Sequence, residues 1–285
     1  METELIPPNT LISQLQQRLM KLEEGLSELL KNQKNQPEGH LRVAQKLSAR
    51  TQYYHYMTPT DLTGKYIRKK NIAFAKTLAQ KDYDENIISL IQKEITSLEE
   101  YLLQTENGKS ITDYYDRLCP ARRTLITPVT LTEEQYTQQW KGVSWIGRPF
   151  APDTPVHRTA NGERVRSKSE IIIADTLLRH GIPYRYEFPL TLHCSADDND
   201  FRSLDGTVTL HPDFLCLNTR TRQEFFWEHF GLMDDPEYAK KAACKLRLYT
   251  ENGILPGSTL IITIETQTEP PSSKALENLI TEFLK

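Results

Sequence analysis

The C-terminal part of the chain alternates helical and strand-like segments, and their order constrains the fold more than any other feature of the sequence. The run STLIITIE at 258–265 is apolar without interruption, which is typical of a strand in the middle of a sheet that is covered on both faces. The predicted helices are 167–180, 235–251 and 273–284, and the predicted strands are 184–192, 211–217, 224–230 and 258–265. The sequence therefore predicts an α/β fold with a helix, three strands, a helix, a strand and a closing helix.

Two of the predicted strands each carry a carboxylate in the interior of an apolar run. Asp213 lies in HPDFLCL and Glu228 lies in EFFWEHF. A charged side chain near a protein core is unfavourable by several kcal/mol unless it is paired or binds a metal. Mg²⁺ prefers one or two carboxylates with water and phosphate oxygens, and such an ion activates water for phosphodiester hydrolysis. The two acids therefore predict a divalent-metal site.

The order αβββαβ, with Pro212-Asp213 on the second strand and Glu228 on the third, resembles the PD-(D/E)XK nuclease superfamily over roughly residues 163–265. The resemblance implies a restriction-endonuclease-like core, Mg²⁺ as the cofactor with Mn²⁺ as a substitute, and DNA as the expected substrate. It also implies that Asp213 and Glu228 are metal ligands. Glu170, on the helix before the first strand, would be an auxiliary ligand or a water-positioning residue.

The catalytic lysine of that superfamily is missing from its usual place. It follows the strand acid by two residues on the same face of the strand, and this chain has Phe230 two residues after Glu228. In some members the following helix carries a QxxxY motif, and Lys245 and Tyr249 stand at the corresponding positions here. Residues four apart share a helix face, so we expect Lys245 to be the displaced lysine, with Lys241 as the second choice.

Other candidate residues have two interpretations each. A strand bulge would turn His229 into the site as a base or ligand, whereas a regular strand makes it a core histidine on the face opposite Glu228. Glu170 also forms a capping-box pattern with Ser167, which explains both residues structurally. Glu187 lies either near the site or in a salt bridge on an edge strand.

A basic segment precedes the predicted nuclease domain. Residues 40–76 contain eight Lys or Arg and one acid, Asp61, although the whole chain has a net charge of only −3. Such an excess favours binding of a phosphate backbone, and a solvated basic face is the alternative. Tyr53, Tyr54 and Tyr56 predict a small β-hairpin, and they suit either nucleic-acid strands or packing on a half-buried sheet. The predicted nucleic-acid contacts are Arg42, Lys46, Arg50, Lys65, Arg68, Lys69 and Lys70.

The N-terminal residues predict a mainly helical region with a short coiled-coil helix. Apolar residues recur at steps of three and four, and this seam indicates either a homodimer or packing on the rest of the chain. Its members are Ile12, Leu15, Leu19, Leu22, Leu26 and Leu29. Two helices, 69–81 and 84–104, are expected to pair as a hairpin, with shorter helices near 111–118 and 133–141. The predicted domains are 1–36, 40–150 and 151–285.

The sequence also excludes some classes of protein. It has no run of 18 apolar residues, no secretory signal pattern and four scattered cysteines without metal-binding spacing. We therefore expect a cytoplasmic protein without membrane association. The hypothesis is a metal-dependent nuclease, with phage defence or mobile-element biology as its expected setting. The alternatives are a catalytically inactive module that binds nucleic acid or protein, and a scaffold formed by the helical half.

Overall fold

The computed structural model describes residues 4–34, 36–45, 51–105, 110–152, 154–194, 201 and 205–285. The chain is of mixed α/β type and forms two compact units. We call residues 10–122 the N-terminal unit, and residues 1–9 with 123–285 the C-terminal unit. This division differs from the predicted domains, because the heptad helix belongs to the same unit as the basic segment and residues 123–150 belong with the C-terminal part.

The N-terminal unit combines a helical hairpin with a three-stranded antiparallel sheet of order β1-β2-β3. A short 3-10 helix, Lys69–Asn71, follows the last strand. The helices and strands are α1 (Ile12–Gln33), β1 (His40–Ala44), β2 (Gln52–Tyr56), β3 (Lys65–Tyr66), α2 (Ile72–Gln104) and α3 (Ile111–Asp116), followed by α4 (Pro120–Arg123).

The heptad seam of α1 packs within its own chain, against α2. All six seam residues are buried or half-buried, and Arg18 on the neighbouring face pairs with Glu94 of α2 at 2.8 Å. The prediction of two helices at 69–81 and 84–104 is wrong, because α2 is one helix of 33 residues. No Gly or Pro interrupts the sequence at 82–83, so nothing in the chain ends the helix there.

We expect Leu22→Ala to destabilise the N-terminal unit by about 2 kcal/mol or more, because removing a buried leucine loses apolar contacts and leaves a cavity. Leu22 is 6% exposed, and Met20 on the same helix is 60% exposed, so Met20→Ala is the matched control. Thermal melts at several protein concentrations check this result. A midpoint that rises with concentration would indicate that the seam is stabilised by association between chains instead.

The C-terminal unit is built around a four-stranded sheet. Its helices are α5 (Glu133–Lys141), α6 (Lys168–Arg179), α7 (Pro236–Glu251) and α8 (Ser273–Leu284). Its strands are β4 (His157–Arg158), β5 (Arg164–Val165), β6 (Tyr184–Tyr186), β7 (Leu190–His193), β8 (Thr207–Leu210), β9 (Phe214–Leu217), β10 (Glu224–Phe230) and β11 (Leu260–Ile264). Thr132 caps α5, since its side chain accepts from the Gln135 N–H.

The sheet has the order β11-β10-β9-β6 and is covered on both faces. β6, β9 and β10 pair antiparallel, and α7 then leads to β11, which is parallel to β10. One face, with Trp227 and Ile261, packs against α6 and α8. The other face, with Leu260, packs against α7 and the β7–β8 hairpin. The prediction that this apolar strand lies in the middle of the sheet is wrong, because β11 is an edge strand, although both of its faces are covered.

Two predicted strands are shorter than expected. The predicted strand 184–192 is wrong as one element, because it divides into β6 and β7 at Glu187, which has a φ of +47°. Pro189 lies two residues later and has no N–H to continue a ladder. The predicted strand 211–217 begins only at Phe214, and β8 before it pairs with β7 rather than with the main sheet.

Among the described residues, no helix is both long and apolar enough to cross a bilayer.

Candidate active site

Glu228 lies in the middle of β10 with its side chain 2% exposed. The register between β10 and β11 is continuous, with Glu228 opposite Ile262. Side chains alternate along a strand, so Glu228 points to the sheet face that packs against α7. A carboxylate buried in this way needs partners on that helix.

Two side chains of α7 supply those partners. The Lys245 Nζ lies 2.6 Å from Glu228 Oε1, and the Tyr249 hydroxyl donates to the same oxygen at 2.5 Å. The two residues are one helical turn apart and so share a face. Lys245 is partly open to solvent, with its side chain 24% exposed, whereas Tyr249 is fully buried. The structure thus brings the predicted displaced lysine and Tyr249 to the strand acid.

Asp213 is the residue immediately before β9, and its Oδ2 accepts the backbone N–H of His229 at 2.6 Å. Burial raises the pKa of this carboxyl well above its ordinary value, and repulsion by Glu228 raises it further. The charge of Lys245 lowers the pKa of Asp213, and the charge of Glu170 raises it. The hydrogen bond from the His229 N–H also lowers it. The charges of two further carboxylates and of one ammonium therefore act on Asp213.

Glu170 contributes charge to this group, but its oxygens are held elsewhere. Its Oε2 accepts from the Tyr186 hydroxyl at 2.7 Å and from the Arg166 N–H at 2.9 Å. Its Oε1 accepts from the Ser167 hydroxyl at 2.9 Å, and the Ser167 Oγ caps α6 by accepting the Glu170 N–H. Ser167 therefore caps α6, whereas the Glu170 carboxylate is held by Tyr186, Arg166 and the Ser167 hydroxyl and influences Asp213 through its charge.

The ring of His229 lies on the opposite face of β10, and the hypothesis of a bulge that turns it towards Glu228 is wrong. β10 pairs regularly with β11 through His229 and Thr263. Thr263 Oγ1 accepts the Trp227 Nε1–H at 3.0 Å and lies 3.0 Å from His229 Nδ1. His229 Nε2 lies 3.3 Å from Glu265 Oε1. His229 reaches the candidate site through its backbone N–H alone.

The structure does not bring the other auxiliary candidates to Glu228. Glu187 forms a two-point ion pair with Arg166, at 2.5 Å and 3.0 Å, so the salt-bridge interpretation describes its contacts. Lys241 is exposed on α7.

Tyr238, in the first turns of α7, was missed by sequence reasoning. Its hydroxyl accepts the Gly231 N–H at 3.1 Å, just beyond the end of β10. Burial raises its pKa, and the charges of Asp213 and Glu228 raise it further while Lys245 lowers it. Tyr238 lies seven residues before Lys245, two helical turns along the same face. The seven-residue spacing from Tyr238 to Lys245 was the sequence signal that could have identified Tyr238.

The predicted nucleic-acid contacts lie in the N-terminal unit. Arg42 is on β1, Lys65 is on β3, and Lys69 and Lys70 form the 3-10 helix that Arg68 precedes. Lys46 and Arg50 lie outside the described residues. The five described residues thus belong to the sheet of this unit and the segment that follows it.

We expect Asp213→Asn to stabilise the folded protein at neutral pH in the presence of a chelator. Because the pKa of Asp213 is raised, the folded protein retains a proton that the unfolded chain releases above about pH 4. The contribution of Asp213 to the free energy of unfolding therefore falls as the pH rises from the ordinary aspartate pKa towards the raised value. Asparagine does not titrate, and its Oδ1 still accepts the His229 N–H. Melts between about pH 4 and 8 should show the variant's advantage growing with pH, and an advantage that shrinks would contradict the assignment.

In the part of the chain that the structure describes, no group of three or more His, Cys, Asp or Glu is arranged to hold a metal ion. The predicted ligand set of Asp213, Glu228 and Glu170 is therefore not assembled as a triad. Asp213 and Glu228 remain as a carboxylate pair that interacts electrostatically.

Comparisons with known proteins found no family model, curated protein or solved structure that matches this chain. The chemistry of the candidate site therefore rests on the geometry of its own residues.

Proposed function

We propose that this chain is a metal-dependent nuclease of the PD-(D/E)XK type, with Asp213, Glu228 and Lys245 as its catalytic group. The observation that carries the proposal is the contact of Lys245 Nζ with Glu228 Oε1, at 2.6 Å. This contact supplies, from a helix, the cation that the strand sequence lacks. Asp213 lies close enough for both charges to act on its carboxyl.

The topology of the main sheet supports a restriction-endonuclease-like core. α6 is followed by three antiparallel strands, then by α7 and a strand parallel to the third. Asp213 precedes the second of these strands and Glu228 lies in the third, as the αβββαβ order requires. The β7–β8 hairpin is then an insertion between the first and second strands.

The residues present fit a Mg²⁺ ion. Asp213 and Glu228 offer oxygen donors, and burial together with repulsion by Glu228 raises the pKa of Asp213. One or two carboxylates are the protein ligands that Mg²⁺ usually takes, with water and phosphate oxygens completing its shell. When bound, such an ion polarises the scissile phosphate and favours ionisation of water. Mn²⁺, which shares this preference for oxygen ligands, is expected to substitute.

The side chains of the protein then orient the reacting groups and balance their charge. Lys245 is partly exposed and carries the only ammonium that we assign to the group, so it orients the attacking water or balances charge on the phosphate. Tyr249 holds the Glu228 carboxylate in position by its hydrogen bond. Tyr238 fixes the end of β10 beside these residues through the Gly231 N–H. The basic residues after β3 are proposed to bind the nucleic-acid backbone.

Cleavage assays with the wild-type protein test this function. Supercoiled plasmid, linear duplex, single-stranded DNA and single-stranded RNA are incubated with Mg²⁺, Mn²⁺ or EDTA. We expect cleavage of at least one DNA substrate with either metal and none in EDTA. Cleavage that persists in EDTA, or no cleavage of any substrate with either metal, would count against the proposal.

A catalytically inactive PD-(D/E)XK-like binding module is the second candidate. It is favoured by the fact that Lys245 and Tyr249 both satisfy Glu228 Oε1 within the protein. Such a module is expected to bind nucleic acid equally well in Mg²⁺ and in EDTA. It is also expected to have no Mn²⁺ affinity that depends on Asp213.

A further inference from the structure

The three-stranded sheet of the N-terminal unit has one face packed against α2. Leu41 of β1 and Tyr53 of β2 pack there against Ile67, Ala75 and Leu78. Because side chains alternate along each strand, the neighbours of these residues in β1 and β2 point to the opposite face. Tyr53 thus satisfies the packing interpretation of the tyrosines, and Tyr54 and Tyr56 do not belong to that core.

The opposite face carries a row of one basic and two aromatic side chains. Arg42 is paired with Tyr54, and Tyr54 with Tyr66, so the row crosses β1, β2 and β3. The rings of Tyr54 and Tyr66 meet edge to face, with centroids 5.6 Å apart. The Tyr54 hydroxyl is hydrogen-bonded to Gln52 Oε1 at 2.9 Å, which restrains its ring. Tyr66 is 51% exposed.

Tyr56, on the same face, is already covered. His40 stacks on its ring at a centroid distance of 5.7 Å, and the guanidinium of Arg42 lies 4.4 Å from its centroid. Gly64 approaches the Tyr56 ring so closely that a Cβ at this position would clash with it. The accessible aromatic surface is therefore formed by Tyr54 and Tyr66, and Tyr56 supports the Arg42 side chain beside them.

The segment that carries this surface has a positive net charge. Asp61, the one acid of the segment, is engaged in its own turn, where it accepts from the Met57 and Thr58 N–H groups and from the Thr58 hydroxyl. The described Lys and Arg of residues 40–76 are Arg42, Lys65, Arg68, Lys69, Lys70 and Lys76. This charge is complementary to a phosphate backbone.

We propose that the Tyr54–Tyr66 face, formed by Arg42, Tyr54 and Tyr66, binds single-stranded nucleic acid by base stacking. An unpaired base stacks on the exposed ring of Tyr66 and against Tyr54, and Arg42 with the basic residues after β3 contacts the phosphates. Base pairs in a duplex are stacked on each other and do not offer a free face, so the surface selects unpaired strands. The inference deepens the proposed nuclease function by naming its substrate class, and rests on it only for the link to cleavage.

The test measures binding by the full-length protein in EDTA, where metal-dependent cleavage does not occur. The probes are fluorescein-labelled oligothymidine and oligouridine of about 15 nucleotides, within the usual range of a stacking surface, and a duplex of equal length. We expect Tyr66→Leu to weaken single-strand binding about tenfold, as loss of one stacked base does. Tyr66→Phe retains the ring and is expected to retain the affinity. The two single strands show whether the sugar matters.

Tyr83→Leu is the matched control, because Tyr83 is 59% exposed on α2, the helix that packs against the opposite face of the sheet. Unchanged single-strand binding by both Tyr66→Leu and Tyr54→Leu would overturn the proposal, and so would a wild-type protein that binds the duplex as tightly as the single strands. Wild-type cleavage is measured separately with Mg²⁺. Cleavage with no effect of the Tyr66 variants on binding would remove the stacking surface and leave the nuclease proposal intact.

Discussion

Asp213→Asn is expected to lower kcat for DNA cleavage by at least about a hundredfold, the usual effect of removing one preorganised group that stabilises transition-state charge. Asparagine has nearly the same shape, and its Oδ1 still accepts the His229 N–H that Asp213 binds at 2.6 Å. The variant loses only the negative charge of the carboxylate that we propose as a metal ligand. Its fold is expected to persist, and its melting temperature at neutral pH is expected to rise.

Glu237→Gln is the matched control for this variant. Glu237 is an exposed acid in the first turn of α7, so the substitution changes the net charge of the same domain by the same amount. Initial rates on plasmid DNA are compared for the three proteins after identical purification. Equal rates for Asp213→Asn and the wild type would mean that Asp213 is not catalytic, or that the activity belongs to a contaminant.

Lys245→Met is expected to lose cleavage and also to destabilise the C-terminal unit by about 3 kcal/mol, because it leaves a buried carboxylate without its cation. Glu228 is 2% exposed and its Oε1 would keep only the Tyr249 hydroxyl as a partner. In the double variant Lys245→Met/Glu228→Gln, a neutral amide still accepts from Tyr249, so most of the lost stability should return. Activity should remain absent, since both catalytic groups are gone.

This double-mutant cycle separates the effect of Lys245 on stability from its effect on cleavage. Because Lys245 and Glu228 are in contact, the changes in the free energy of unfolding caused by the two substitutions are expected to be non-additive. Lys241→Met is the matched control, as Lys241 is exposed on the same helix one turn earlier. Urea unfolding and initial cleavage rates are measured for the wild type, Lys245→Met, Glu228→Gln, the double variant and Lys241→Met. Activity that returns together with stability in the double variant would make Lys245 a structural partner of Glu228 and not a catalytic residue.

Periodicity and end signals were sufficient to predict most of the C-terminal unit. β10, α7 and α8 lie where the alternation of apolar residues and the end signals at Asp235 and Gly253 placed them. Lys245 was predicted from its correspondence to the QxxxY motif of the superfamily that the chain resembles, and the four-residue spacing to Tyr249 puts both residues on one helix face. Local rules of this kind hold because each of these elements buries one face against the sheet.

The sequence was less informative where local rules compete. At Glu187 the run YRYEFPLTL looked continuous, and the positive φ with the following Pro189 ends β6 there. The pairing of α1 with α2 depends on contacts between distant segments, which an isolated heptad pattern does not specify. Tyr238 acts through the Gly231 N–H at the end of β10, and only the packing of α7 on the sheet brings these two together.

The central claim, that Asp213 and Glu228 together form a divalent-metal site, is tested most directly by calorimetric titration of Mn²⁺ into the wild type and Asp213→Asn. We predict saturable binding to the wild type at one site and its loss in the variant. Wild-type protein that binds no Mn²⁺, or a variant that binds it as tightly as the wild type, would contradict the account.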